Sequence, residues 1–174
     1  AIRMLKGHRA MVSFAYFETQ HLTRAHLEEL LTVCVGVAAD SGVFTTFNSG
    51  DKAPPSEDHI ERYIQFLLEF RERLDWALTL DVIGDAEQSF KNFLRLRDQG
   101  ILTVPVWHEG DPLEHLQEDD PDNYLVALGR IEGRKSPPKT LVFYDRAFNE
   151  FPGGMYHALG TSVPKNLEPY RFLS

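Results

Sequence analysis

The chain has 174 residues, 43% of them hydrophobic, and a formal net charge of −8. That length supports one buried core without demanding a second, so a single domain over residues 1–174 is expected. The charge excludes a broadly basic surface of the kind that holds nucleic acid by its phosphates, although it leaves local basic patches open. The single cysteine, Cys34, excludes an internal disulfide and a cysteine-rich zinc site. Its place in the apolar run Leu30–Val37 suggests a buried thiol. No stretch approaches the roughly 18–20 consecutive apolar residues that span a bilayer, and no signal-peptide apolar region follows the basic residues near the start. A cytoplasmic protein with no membrane partner is the expectation.

In chain order, Met11–Phe17 reads as a first strand, and Thr23 caps a helix carrying Leu27, Leu30 and Leu31. Strand Val35–Asp40 follows. The polar stretch Asn48–Ser56, with Gly50 and Pro54-Pro55, reads as a loop ending in the helix cap Ser56. The next helix carries Ile60, Ile64, Leu67 and Leu68 on one face. Strand Trp76–Asp81 leads to Asp85, which with Gln88 forms a capping-box pattern ahead of Phe90, Phe93 and Leu94, and Gly100 closes that helix. Strand Leu102–His108 precedes an acidic segment, Glu109–Asp122, that holds no lysine or arginine. Strand Tyr124–Gly129 precedes a basic loop with Arg130, Arg134, Lys135 and Lys139. A helix over Leu141–Phe151, strand Met155–Thr161, a short helix over Pro164–Tyr170 and the opening of a strand at Phe172 complete the pattern.

The apolar runs are nearly continuous, as in strands buried on both faces of a parallel sheet covered by helices. An α/β fold follows, with βα units at crossover spacing. Both an open doubly wound sheet and a (β/α) barrel fit. Candidate site residues close every strand, which favours an incomplete or truncated TIM-type barrel of about six to seven units. Such a barrel leaves strand edges exposed, so self-association or a covering partner chain is expected.

The stops of the strands carry the candidate chemistry. Asp40-Ser41-Gly42-Val43-Phe44 puts a carboxylate at a strand end, then a glycine that permits close approach, then an aromatic that can stack on a planar heterocycle. The alternative is a helix or turn cap with Phe44 in the core. Asp81 ends an apolar strand, so its charge must be solvated, paired or used. Asp85 has a sufficient capping role. His108, Glu109 and His115 lack the HExxH spacing, and no metal site is expected. Gly129 offers backbone groups for reading a base edge, or is an ordinary strand-to-loop glycine. His157 lies in the last strand pattern, where a satisfied core histidine is the plainer reading. Neither GxxxxGK[ST] nor GxGxxG occurs, which removes the main support for triphosphate or dinucleotide binding. No cofactor is expected.

At these residues the chain resembles the tRNA-guanine transglycosylase superfamily, especially its divergent phage and bacterial branch that places 7-deazaguanines in DNA. The matching segments, in the family's order, are Asp40–Phe44, Leu80–Asp85, Pro105–His108, Val126–Gly129 and His157–Ser162. The resemblance implies that Asp40 and Asp81 bind the exchanged base as the catalytic carboxylates and that Phe44 stacks on it. It further implies that Ser41, His108, Gly129 and His157 belong to the substrate site, and that Arg130, Arg134, Lys135 and Lys139 meet phosphate of DNA or tRNA. The chain departs from the family's DSGGF pattern at Val43, and at Thr45 where a glutamine is usual, which reshapes the base pocket. The zinc site of the tRNA enzymes cannot form with Cys34 alone. The family's nucleophilic aspartate would fall in the strand after the last segment, which opens about at Ser174, so the resemblance implies that it is missing, lies beyond Ser174 or has been replaced.

The function implied is pentosyltransferase chemistry, exchanging guanine and a 7-deazaguanine in a nucleic acid. Two alternatives stand beside it: a non-catalytic structural or binding subunit with a degenerate barrel, and an unrelated small (β/α) barrel hydrolase or lyase using Asp40, Asp81 and His108.

Overall fold

The computed structural model describes residues 2–48, 53–112, 125–129, 137–160 and 170. They form two compact units, residues 1–103 and residues 104–174.

The first unit opens with a 3-10 turn, Ile2–Leu5, and strand β1, Arg9–Ser13. The strand stops earlier than the apolar pattern suggests. Ser13 takes an extended cap conformation (φ −89°, ψ 129°), and Phe14–Glu18 turns into a short helix, α1, that buries Phe14 and Ala15. Helix α2, Arg24–Val33, starts at Thr23 as expected: its hydroxyl accepts from the His26 N–H, and the His26 ring accepts from the Thr23 N–H. Strand β2, Gly36–Asp40, is buried over its first four residues. Cys34 just before it is only partly buried, with Sγ 3.7 Å from the Leu5 carbonyl, rather than sealed in the core.

A short helix, α3, Val43–Asn48, follows the Asp40-Ser41-Gly42 turn, in keeping with the helix-cap alternative at Asp40. Helix α4, Glu57–Phe70, begins at Ser56, whose Oγ accepts from the His59 N–H at 3.2 Å. Its buried stripe holds Ile60, Ile64 and Leu67, and also Tyr63, Phe66 and Phe70. These aromatics pull the stripe round the helix at 100° per residue and leave Leu68 38% exposed rather than on the core face. Phe66 packs against Phe14, Phe17 and Phe70 at ring separations of 5.0–5.3 Å, which ties α1 to α4.

Strand β3 is the pair Trp76–Ala77, after which Leu78, Thr79 and Leu80 continue buried towards Asp81. Helix α5, Ala86–Asp98, starts at Asp85, which accepts from the Gln88 N–H at 3.0 Å, and ends before Gly100. The Gln88 amide reaches forward to Asn92 at 3.1 Å. The sheet order is β1-β2-β3, all parallel.

The second unit holds strands β4, Val106–His108, β5, Leu125–Gly129, and β6, Met155–Ala158, in a separate parallel sheet ordered β4-β5-β6. Its core includes Trp107, Val126, Leu128, Phe143, Tyr144 and Tyr156. Helix α6, Pro137–Glu150, starts earlier than the apolar pattern implies and takes in Pro137-Pro138. Proline is tolerated in a first helical turn, where its missing N–H has no intrahelical partner to lose.

The fold is α/β, but the barrel expectation fails. Each sheet is a three-stranded ladder, and neither closes on itself. A barrel needs every strand paired on both sides in one staggered ladder. Among the described residues β1 and β3 pair with β2 alone, and β4 and β6 with β5 alone. Buried parallel strands require helical cover whether or not the sheet closes, and polar residues at carboxyl ends suit any parallel sheet. Neither feature distinguishes the two architectures. The expected features at Gly50, His115, most of Glu109–Asp122, Thr161, residues 164–169 and Phe172 lie outside the described residues.

Candidate functional site in the first unit

The two apolar runs of the first sheet that end in aspartate bring those aspartates together. Asp40 closes β2, and Asp81 closes the extended segment after β3, the neighbouring strand. Leu78 keeps that segment against β2 through its N–H to the Ala39 carbonyl, at 2.8 Å. Asp81 is 9% exposed. Burial, and then the charge of Asp81, push the Asp40 carboxyl up to about 6. The Ser13 side chain and the N–H groups of Gly42 and Ser41 favour the ionised form of Asp40 and hold the shift back. Two like charges facing each other in a poorly hydrated place favour a proton on one of them.

Tyr63 of α4 lies in the same cluster. It is fully buried, its hydroxyl donates to the Leu78 carbonyl at 2.7 Å, and burial plus the charges of Asp40 and Asp81 raise its phenol well above the usual range. Tyr63 is therefore a neutral support for the strand that carries Asp81, rather than a proton source.

The turn after Asp40 depends on Gly42. It has φ +85°, and a Cβ there would lie 2.5 Å from the Ala15 nitrogen and 2.7 Å from the Ala15 Cβ. Only glycine meets both conditions without strain. The turn leaves Ser41 1% exposed with an Oγ that has no hydrogen-bond partner among the described residues. Such a buried hydroxyl is costly unless a ligand or water completes it. Phe44, in the first turn of α3, is 41% exposed, so it is not the core residue of the capping alternative.

A second polar link anchors α4 to α1. His59 Nδ1 meets Glu18 Oε2 at 2.8 Å, and Arg62 bonds the other oxygen of the same carboxylate at 2.8 Å. His59 Nε2 is buried without a hydrogen-bond partner among the described residues.

The other candidates fall in the second unit. His108 and Gly129 are register partners on β4 and β5. The His108 ring lies so close over Gly129 that a Cβ there would be 2.8 Å from both Cδ2 and Nε2. Asp111 Oδ2 accepts the His108 backbone N–H at 2.8 Å and lies 3.4 Å from Nδ1. His157 pairs with Ala127 on β6, two positions before the level of Gly129, which by register puts it on the face of His108. Lys139 belongs to helix α6 rather than a loop. Arg130, Arg134 and Lys135 lie outside the described residues. Among the described residues no cluster of three or more His, Cys, Asp or Glu side chains could hold a metal ion, and no helix is long and apolar enough to cross a membrane.

A cavity of about 290 Å³ opens elsewhere in the first unit, with Arg71, Asp75, Trp76 and Leu102 in its wall and neither Asp40 nor Asp81. The carboxylates mark the chemistry better than this cavity, because they combine burial, mutual repulsion and an unsatisfied neighbour. Ser13 and Tyr63 were missed as site residues by sequence reasoning. No local signal marks Ser13, which lies inside the apolar run Met11–Phe17; for Tyr63 the signal is a hydroxyl on the apolar stripe of α4.

No protein-family profile, curated protein or solved structure matches this chain.

Proposed function

We propose that this chain binds guanine or a 7-deazaguanine at Asp40 and Asp81 and belongs to a transglycosylase that exchanges the base in DNA or tRNA. The observation that carries the reading is the pair of neighbouring carboxylates, Asp81 buried and Asp40 half-buried at the end of β2, with Asp40 raised to about 6. Guanine presents N1–H and the exocyclic amine as adjacent donors, which two carboxylates suit as charged acceptors. A carboxyl that titrates near neutrality can also donate to O6 or N7 in its protonated form and recover the proton afterwards. Ser41 Oγ is a further polar atom in want of a partner, and the half-exposed Phe44 ring suits stacking.

In the exchange, a carboxylate nucleophile attacks C1′ of the nucleotide, the C1′–N9 bond breaks, and the base leaves with the bonding pair and takes up a proton. The incoming base loses a proton as its nitrogen re-forms the bond to C1′ and releases the carboxylate. Asp40 is the base-side acid and base in this scheme, and Asp81 fixes the orientation of the base. No oxidant, reductant or cofactor enters the balance.

Calorimetric titration with guanine and with 7-cyano-7-deazaguanine tests the reading, using the wild type and Asp81→Asn. Saturable binding that weakens about tenfold or more in the variant is expected from loss of one charged hydrogen bond. Absence of binding by folded wild-type protein overturns it.

A further inference from the structure

We propose that Ser13 is a positioning residue for Asp40, its hydroxyl diverted from capping its own helix to hold the carboxylate of the neighbouring strand. This rests on the reading of Asp40 as the base-side acid and base.

Three observations carry it. Ser13 and Asp40 are register partners at the ends of the parallel strands β1 and β2, so their side chains leave the sheet side by side. Ser13 also stands at the N-cap of α1 in the extended conformation from which a serine normally caps, yet its side chain makes no cap hydrogen bond. The hydroxyl instead stands beside the Asp40 carboxyl, which it holds down against burial, and lies 3.4 Å from Thr45 Oγ1 on α3.

A serine hydroxyl has one proton to give and two lone pairs to accept with. Donating to Asp40 leaves Oγ able to accept from Thr45, which gives a chain from α3 through β1 to the carboxylate. The groups acting on Asp40 from the elements around it are Asp81 beyond β3, the N–H groups of Ser41 and Gly42, and Ser13. Tyr63 of α4 faces the same charges but spends its proton on Leu78. Among the described residues Ser13 is thus the side chain that stabilises the ionised form against burial and Asp81, and it fixes which way the carboxylate points.

The test is a carbon-13 titration of the Asp40 carboxyl from about pH 4 to about pH 8 in wild type, Ser13→Ala and Ser13→Thr, with assignment by Asp40→Asn. The expected wild-type midpoint is about 6. Ser13→Ala should raise it by about half a unit or more, roughly a threefold gain in proton affinity, and Ser13→Thr should restore it. Guanine binding followed over the same range should move its pH dependence in the same direction. A midpoint unmoved in folded Ser13→Ala, beside normal guanine binding, overturns the positioning role and leaves the base pocket standing. A shifted midpoint in a protein that binds no guanine overturns the base pocket and leaves the Ser13 contact standing. Should Ser13→Ala fail to fold, Thr45→Val reads the same chain from its far end: loss of the Thr45 donor should raise the Asp40 midpoint, and an unchanged one overturns the relay.

Discussion

Gly42 packs its Cα face directly against the backbone of Ala15, so the turn that follows Asp40 is braced by the first turn of α1. A Cβ at position 42 would stand 2.5 Å from the Ala15 nitrogen, on a backbone already at φ +85°. Neither neighbour is the tip of a flexible side chain, so the overlap must be relieved by moving β1 and α1 away from β2. Gly42→Ala should therefore lose about 1–3 kcal/mol from backbone strain alone, with the steric overlap adding to it. Urea unfolding reads this directly. An unchanged midpoint would mean that the turn relaxes freely and does not fix Asp40.

Asp40 makes a prediction whose sign is opposite to that of most native carboxylates. Its pKa rises on folding from 3.8 to about 6. Below the lower value both states are protonated and the shift contributes nothing. Between the two values the unfolded chain has released its proton while the folded chain keeps it, so stability falls as pH rises. Above the higher value a constant cost remains, on the order of 3 kcal/mol at most from the size of the shift. Asp40→Asn removes the charge and should be more stable than wild type at pH near 7–8, with the advantage disappearing below about pH 4. Thermal melts across that range check it; a variant less stable than wild type at neutral pH would contradict the burial and repulsion assigned to Asp40.

These two sites also show what the sequence could reveal. Thr23, Ser56 and Asp85 were legible as caps because a cap acts within three residues of itself. Asp40 and Asp81 were legible because a charge that ends an apolar run must have a use or a partner. Ser13 was not, since its role comes from pairing with a residue 27 positions later, as the register Ser13↔Asp40 records. Tyr63 read as one more apolar-face residue, because nothing local says which strand its hydroxyl will meet. The short helix α3 was legible only as the helix-cap alternative at Asp40, and sheet closure was hidden because the apolar run of a buried parallel strand is the same in an open ladder as in a barrel.

Asp81→Asn separates two causes acting on one carboxyl. Burial is the larger contributor to the raised pKa of Asp40, and the Asp81 charge is the next. Removing that charge with a near-isosteric amide leaves burial in place, so the Asp40 midpoint should fall from about 6 without reaching its ordinary 3.8. The same carbon-13 titration measures it. A midpoint that rises in the variant, or does not move, would show that the two carboxyls do not sense each other.

The second unit carries its own test in the contact between His108 and Gly129. His108 is 6% exposed, and its backbone is tied to Asp111 by a 2.8 Å hydrogen bond, so its ring has little freedom to retreat. A methyl group at position 129 would come within 2.8 Å of the ring and 3.0 Å of Val106 Cγ1. Gly129→Ala should cost about 1–3 kcal/mol, as overpacking in a filled core does. The cost should be partly relieved when His108 is also replaced by alanine, because the added methyl then occupies space the ring has vacated. A double-mutant cycle followed by urea unfolding measures that coupling. Strictly additive losses would mean that the ring moves aside at no cost, and that Gly129 is not what sets the position of His108.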